Sequence, residues 1–533
     1  MGEYRRRGLL WDVKLKVAIF CNTPEETPSM TSYTITAGAI EHYADALAQF
    51  EHLLGRLTGE EAQRAPHGEL EAMVHAEGSE LLRRLIQGHL DQRGREEPLR
   101  ERVVSADGVA RTHHREGCRR CLETRFGEVI VTRRGYGGRA LESVFPLDAE
   151  LNLPPDKYSH GLREILVEEV VGGSFEAAVE HLVRAGGGQM AKRQAEEVSV
   201  HLSQDFDAFY AQPLTPPQTA TEQGKLLVIS ADGKGIVMHP NSLREATRRA
   251  LEREEHKQHT RLSPGEKKNR KRMATVASVY AVDPYPRTPA QILDPEQQPA
   301  GKRPRPENKR TWARVEADQG TVIEQAFAEA VRRDPDQTMR WVVLTDGHED
   351  LLRQVAAAAK RYKVEIVLVQ DFIHVLEYLW KAAYALHPDA AEARESWVMG
   401  RATAVLQGRA QDVAVGLRRA ATRKQLSQNG RKPVDKAADY IDNNQERLQY
   451  DRALAHGLPI ATGVIEGACR HLVKDRMDIT GARWGLARAE AILKLRSLKI
   501  SGDLPAYLAF HFEQERKRNY PGPPIPLTVR HAA

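Results

Sequence analysis

Cysteine is scarce. The 533 residues hold four (Cys21, Cys118, Cys121 and Cys469), widely scattered, which argues against a disulfide-stapled secreted scaffold and for a reducing cytoplasm. Long apolar runs are missing too: none approaches the ~20 residues that cross a bilayer, so no membrane partner is expected. Arg5-Arg6-Arg7 precede a short apolar stretch, but Lys14 and Lys16 interrupt it, unlike a secretory signal. No internal repeat is present. The segment DGKG at 232–235 is not a phosphate-binding P-loop, so no nucleotide cofactor is expected. Cys118-x-x-Cys121, with His113 and His114 upstream, is half of a zinc pattern, and no second CxxC or HxxxH supplies the rest of four ligands. A net charge of only +5 is too small to identify a partner.

The distribution of charge says more. Residues 244–272 carry 11 Lys/Arg against five Asp/Glu, residues 302–314 six against one, and residues 470–499 eight against three. Such clusters suit a polyphosphate, because each neutralised phosphate releases condensed counterions; they also occur on ordinary solvated faces. The chain is too long for one hydrophobic core, and several domains are expected.

Residues 12–20 alternate like a strand, 35–56 and 68–92 have helical spacing, and ETRFGEVIVT (123–132) is β-like. FPLDAELNLPPDKYS (145–159) reads as an ordered, proline-punctuated connector. Helices are then expected at 162–171, 175–184 and 189–210, separated by glycine turns. That order is compatible with a helix-turn-helix whose last helix, with Lys192 and Arg193 near its start, would face DNA, and equally with a plain helical hairpin. PLTPPQTATEQ (213–223) is the clearest linker. Beyond it strands and helices alternate: strands at 226–233, 272–284, 341–347 and 364–371, helices at 322–333, 349–362 and 372–386, and a basic, proline-rich insertion at 286–310. Residues 389–456 are helical and polar. The organisation expected is residues 1–100, a strand plus helices; 101–212, a helical DNA-binding region; 213–224, linker; 225–388, the first part of an α/β core; 389–456, a helical insertion; 457–515, the last part of the core; and 516–533, a tail.

Asp232 and Asp346 both close apolar strands and both precede glycine. Carboxylates at strand ends face the edge of a sheet where α/β proteins bind ligands, and magnesium is held by few carboxylates, waters and phosphate oxygens. Asp-Gly is also a common turn. Glu466 opens a helical stretch with Arg470 and Lys474 at i+4 and i+8. One carboxylate and two cations on a stripe suit a metal–phosphate site, and equally a surface salt-bridge ladder.

The segments ISADGKGI, VVLTDGHEDL, VQDFIHVLEYLW and, above all, GVIEGACRHLVKDRMDITGARWGLARAEAILKLRSL resemble bacterial insertion-sequence transposases of the Kra group. These are DDE-class enzymes related to the Mutator-like and hAT transposases. FGEVIVTRRGY and FPLDAELNLPPDKYS extend the resemblance over most of residues 100–515. It implies an RNase H-like catalytic core with an all-α insertion at 389–456, preceded by a mainly helical DNA-binding region. By position, Asp232, Asp346 and Glu466 match the family's metal-binding triad, with two Mg²⁺ (or Mn²⁺) ions as cofactor. Asp371 and His374 match a further signature, an acidic residue or Cys, two residues, then His; as a structural alternative, Asp371 caps its helix and His374 makes a core hydrogen bond.

The resemblance implies transposon-end cleavage and joining of the 3′-hydroxyl to target DNA, in the cytoplasm, by a homodimer or larger assembly. Arg470, Lys474 and Arg476 would bracket the scissile phosphate. Trp484, beside Arg483, would stack on an unpaired base or sit in the core. Two rival functions use the same features: a structure-selective nuclease that cuts without joining, and an inactive DNA-binding derivative, which would be marked by loss of a triad carboxylate. Glu490 is the alternative third carboxylate.

Overall fold

The computed structural model describes residues 15–18, 30–33, 41–104, 108–213, 224–253, 268–297, 302–388, 391–479 and 481–520. Most of the expected linker at 213–223, the middle of the 244–272 basic cluster and most of the C-terminal tail lie outside them. The chain forms two compact units, Met1–Leu166 with Glu176–Lys192 and Phe512–Ala533, and Val167–Phe175 with Arg193–His511.

In the first unit, β1 (Leu15–Ala18) pairs with β2 (Met30–Tyr33), and β3 (Val103–Val104) with β4 (Ala110–Arg111). Its main sheet is antiparallel: β5 (His113–Thr124), β6 (Gly127–Gly138) and β7 (Leu141–Val144), in that order. The stretch 123–132 is therefore not one strand. It holds the end of β5, a tight turn at Arg125-Phe126 and the start of β6, with Gly127 at φ +109 closing the turn. No proline or asparagine marks that turn, so the two strand patterns run together in the sequence. The connector at 145–159 opens with a short helix, Pro146–Glu150.

Helices α1 (Ala44–Thr58) and α2 (His67–Glu96) precede this sheet in the chain and belong to the same unit. Helix α2 lies against β6, and Leu90 shares a core with Leu122, Val129, Val131 and Leu147. Gly94 permits the close approach, because a Cβ there would collide with the Thr132 carbonyl oxygen. Gln87 takes the place of a neighbouring strand: its amide accepts from Ile130 N at 2.8 Å and donates to Ile130 O at 2.9 Å. Gln87→Ala should therefore speed hydrogen exchange at the Ile130 amide roughly tenfold, the equivalent of one ordinary hydrogen bond. Unchanged exchange would mean that water replaces the side chain at no cost.

Helices α3 (His160–Val170), α4 (Phe175–Gly186) and α5 (Lys192–Leu202) follow, then a short helix, Phe206–Tyr210, so the expected 189–210 helix is broken. From Glu176 onward α4 belongs to the first unit, and from Arg193 onward α5 belongs to the second. The stretch that the sequence offers as a helix-turn-helix is thus divided between the two units.

The second unit is a mixed α/β layer. Its sheet holds β8 (Leu226–Val237), β9 (Lys271–Val282), β10 (Glu307–Arg314), β11 (Arg340–Thr345) and β12 (Ile366–Gln370), in the spatial order β10-β9-β8-β11-β12. Strands β8, β11 and β12 are parallel; β9 is antiparallel to both β8 and β10. Strand β11 and the first six residues of β8, Leu226 to Ala231, are almost continuously buried, as parallel strands covered on both faces must be. Helix α6 (Gln319–Arg333) packs on β8 and β9 and also meets α7 (Glu349–Tyr362).

Strand β10 occupies the end of what the sequence suggests is an exposed basic insertion. Its arginines are buried instead. Arg310 meets Glu329 at 2.6 Å, and Arg314 pairs with Glu490. In the sequence these arginines read as surface charge, because their counter-ions lie on other elements, 19 residues away for Arg310 and 176 for Arg314.

Helix α8 (Phe372–Leu386) follows β12 and packs against α9 (Ala391–Leu406), α10 (Ala410–Arg423) and α11 (Gln428–Asn443). Ala382, Ala383, Ala437 and Ala438 are fully buried where α8 and α11 approach. The block is polar outside and shares one apolar core with the sheet. Beyond it, α12 (Gly463–Ala468) runs into a π-helical turn at Cys469–Lys474, and α13 (Leu486–Ser501) packs on β10. No helix among the described residues is long and apolar enough to cross a membrane.

Candidate active site

The sheet register sets three aspartates side by side. Leu344 pairs with Ser230, and Thr345 pairs with Gln370. Continuing that register puts Asp232, Asp346 and Asp371 at the same level, at one end of the three parallel strands. The two Asp-Gly pairs differ in structure. Asp346-Gly347 is a true turn: Asp346 Oδ1 accepts from His348 N at 3.0 Å, and Gly347 has φ +89. A Cβ on Gly347 would come within 2.6 Å of Gln370. Asp232 does not close its strand, contrary to the sequence expectation. Pairing with β11 stops at Ser230, but β8 continues to Val237 against β9, and Asp232 faces Val276.

Glu466 reaches this row through two neighbours. Thr462, just before α12, has its hydroxyl 2.7 Å from Asp371 Oδ2 and 3.2 Å from Glu466 Oε1. One hydroxyl proton serves one carboxylate at a time, and the shorter contact favours Asp371. The Cys469 thiol donates to Asp232 Oδ2 at 3.3 Å, so the polypeptide that carries Glu466 is also tied to β8. Burial, reinforced by Asp232, pushes that thiol well above its ordinary pKa and keeps it protonated.

Asp371 is fully buried and saturated. Its Oδ2 accepts from His374 Nδ1 and Thr462 Oγ1, each at 2.7 Å; its Oδ1 accepts from Ile373 N at 3.1 Å and Thr462 N at 3.3 Å. A carboxylate offers about four acceptor positions, and all are used. Burial alone would raise this carboxyl's pKa; the hydrogen bonds from His374 and Thr462 outweigh it and hold the group below its ordinary range. His374 is raised by its hydrogen bond to Asp371, against partial burial, and the charges of Asp371 and Asp346 add to the effect.

Ligand atoms of Asp371, His374 and Glu466 lie within 4.8 Å of one another, close enough to share a cation. Asp232 and Asp346 are not part of that group; Asp371 is spent on its four donors, while Glu466, Asp346 and Asp232, whose Oδ2 faces only a weak thiol donor, each keep oxygen capacity for a ligand. Tyr440, on the helical block, donates to Asp346 O at 3.0 Å and accepts from Gln370 at 2.6 Å, which fixes the end of β11.

The expected DNA-facing residues divide. Arg470, Lys474 and Arg483 are exposed. Lys474 lines a cleft of about 200 Å³ with Lys234 and Lys271; Arg483 lines an adjoining one of about 750 Å³ with Lys268, Arg270 and Lys271. Lys192 and Arg193 are exposed and pair with Glu176 (3.5 Å) and Glu197 (3.0 Å). Arg476 is not at the surface: it is buried, donates to Val170 O at 2.9 Å and lies over the Trp484 and Phe175 rings. Trp484 is a core residue with Nε1 donating to Met477 O, so it is not placed to stack on a base. Glu490 is spent on Arg314 and on the amides of Val315 and Glu316, which removes it as an alternative third carboxylate. The π turn after Ala468 breaks the α-helical spacing that would put Glu466, Arg470 and Lys474 on one stripe. Cys118 and Cys121 lie three apart on β5, where alternation sends them to opposite faces.

Sequence inspection missed Thr462, Cys469 and Lys234. Cys469 and Lys234 sit inside the most informative segments and Thr462 immediately before one, but their roles depend on pairings across the fold. No family model matches the chain, and no curated protein sequence matches it.

Proposed function

We propose that the chain is a DDE-type DNA transposase, with an RNase H-like core, that cuts transposon ends and joins the 3′-hydroxyl to target DNA. The observation that carries this reading is the aspartate row at one level of the sheet, Asp346 and Asp371 just past the ends of β11 and β12 and Asp232 within β8, with Glu466 held to it through Thr462 and Cys469. Asp232, Asp346 and Glu466 supply hard oxygen donors with capacity to spare, which fits Mg²⁺ or Mn²⁺. Asp232, Asp346 and Glu466 would hold such ions, which would supply activation of the attacking water or 3′-hydroxyl and charge stabilisation of the departing oxygen.

The protein's own share is placement. Asp371 and Thr462 hold α12 to the sheet, His374 is fixed by its Nδ1 bond, and the Lys234–Lys271–Lys474 cleft supplies the positive charge that a DNA backbone needs. No Ser or Tyr nucleophile is required. A strand-transfer assay tests the reading: an oligonucleotide duplex with the element's terminal sequence and a free 3′-hydroxyl, given target DNA and Mg²⁺, should yield a joined product. Cleavage without joining would instead make the protein a nuclease.

A further inference from the structure

A second basic surface lies on the other side of α12. A pocket of about 540 Å³ is lined by Tyr285, Arg287, Lys302, Arg303 and Arg305, four cations against the single carboxylate of Asp283, with Val282, Pro459 and Val464 among its apolar walls. A neighbouring cleft of about 220 Å³ shares Pro306, Gly463 and Val464 with it and adds Lys309 and His471. The two therefore form one groove across the outer face of α12. Lys302, Arg303, Arg305 and Lys309 are exposed and make no ion pair with any described residue.

The inner wall is built rather than incidental. Tyr285 N donates to Gly457 O at 2.9 Å, Arg287 N donates to Leu454 O at 3.1 Å, and Arg287 Nη2 donates to Leu458 O at 2.7 Å. Gly457, at φ +70, sits so close to Tyr285 N that a side chain there would collide. Arg287 is thus fixed in a half-buried place near Arg303. Burial, with Arg303 adding, lowers its pKa to about 10. Like charges held together by the fold call for an anion.

The floor gives an independent observation. Gly463 and Gly467 lie one helical turn apart on α12, and both line the groove. A Cβ on either would meet no protein atom within 4 Å, and neither has a positive φ. Neither packing nor backbone conformation therefore demands glycine, although glycine weakens a helix. What the two glycines do produce is a bare strip of helix that another backbone could approach closely.

We propose that this groove binds a single strand of DNA, its phosphates on Arg303, Arg305 and Lys309 and one unpaired base in the pocket beside Tyr285. The pocket's volume is in the range of small-molecule sites. Apolar and aromatic walls with cations at the rim suit a base and its phosphates. The ligand class rests on the DNA-processing reading above; the groove itself uses none of the acidic residues.

The test is anisotropy binding of the full chain in Ca²⁺, with a labelled 15-nucleotide single strand and a duplex of the same sequence. Arg303→Glu with Arg305→Glu should weaken single-strand binding at least tenfold and duplex binding less than threefold. Gly467→Ala should raise the melting temperature and still weaken single-strand binding, whereas a glycine with no ligand to admit would gain stability at no loss of affinity. Single-strand affinity unchanged in both variants overturns the groove while leaving the transposase reading intact; no binding to either DNA overturns both.

Discussion

Asp232→Asn, Asp346→Asn and Glu466→Gln should each lower strand cleavage by about 1,000-fold or more, because metal-assisted charge stabilisation is worth several kcal/mol and each 1.36 kcal/mol is tenfold in rate. Each substitution preserves shape and removes one negative charge. DNA affinity should stay within a few-fold of the wild type, since the Lys234–Lys271–Lys474 and Arg483 clefts are untouched. Ca²⁺, which takes a larger and looser oxygen shell, should support binding with little cutting. Asp350→Asn is the control. Asp350 is exposed in the first turn of α7, pairs only with Arg353 among the described residues, and should leave cleavage unchanged. Normal cutting by Glu466→Gln would show that the third carboxylate is wrongly assigned. His374 would then be the next ligand to test, since Glu490 is consumed by Arg314.

The order of strands and helices in the second unit was largely legible, because β11, β12 and the first half of β8 are apolar runs and α6, α7 and α8 have clean helical spacing. What failed did so for identifiable reasons. Strand β10 was hidden because Arg310 and Arg314 read as surface charge until Glu329 and Glu490 are brought to them. Asp-Gly at 346 and Asp-Gly at 232 look alike in sequence; only the first is a turn, because a partner strand, β9, carries β8 beyond the second. Arg476 and Trp484 sat in the segment with the strongest resemblance, which invited a DNA-facing role, yet they stack on each other inside the unit. Candidate ligands could be named from strand ends. The clamp that joins them could not, since Thr462 and Cys469 contact residues from other elements far along the chain.

That clamp makes the second large prediction. Asp371→Asn should reduce cleavage about 10- to 100-fold, as loss of a group that orients metal ligands typically does, rather than abolish it. The asparagine would keep an acceptor for the Ile373 and Thr462 amides but could not serve both the Thr462 hydroxyl and His374, so the α12 attachment loosens. Raising Mg²⁺ should restore much of the rate if Asp371 is a positioning residue; a loss as deep as that of Glu466→Gln, and not recovered by Mg²⁺, would make Asp371 itself a ligand. Stability gives a readout independent of metal. Asp371 is depressed below its ordinary 3.8, so its contribution is present above that pH and lost as pH falls through the lowered value. His374 is raised above 6.5, so its contribution is complete below that pH and lost as pH rises through the raised value. The difference in unfolding free energy between wild type and Asp371→Asn, measured without divalent metal, should therefore be greatest between about pH 4 and 6.5 and shrink on both sides. A difference that did not shrink as the pH rises above 6.5 would mean that the buried amides of Ile373 and Thr462, and not the charged His374, are what Asp371 stabilises.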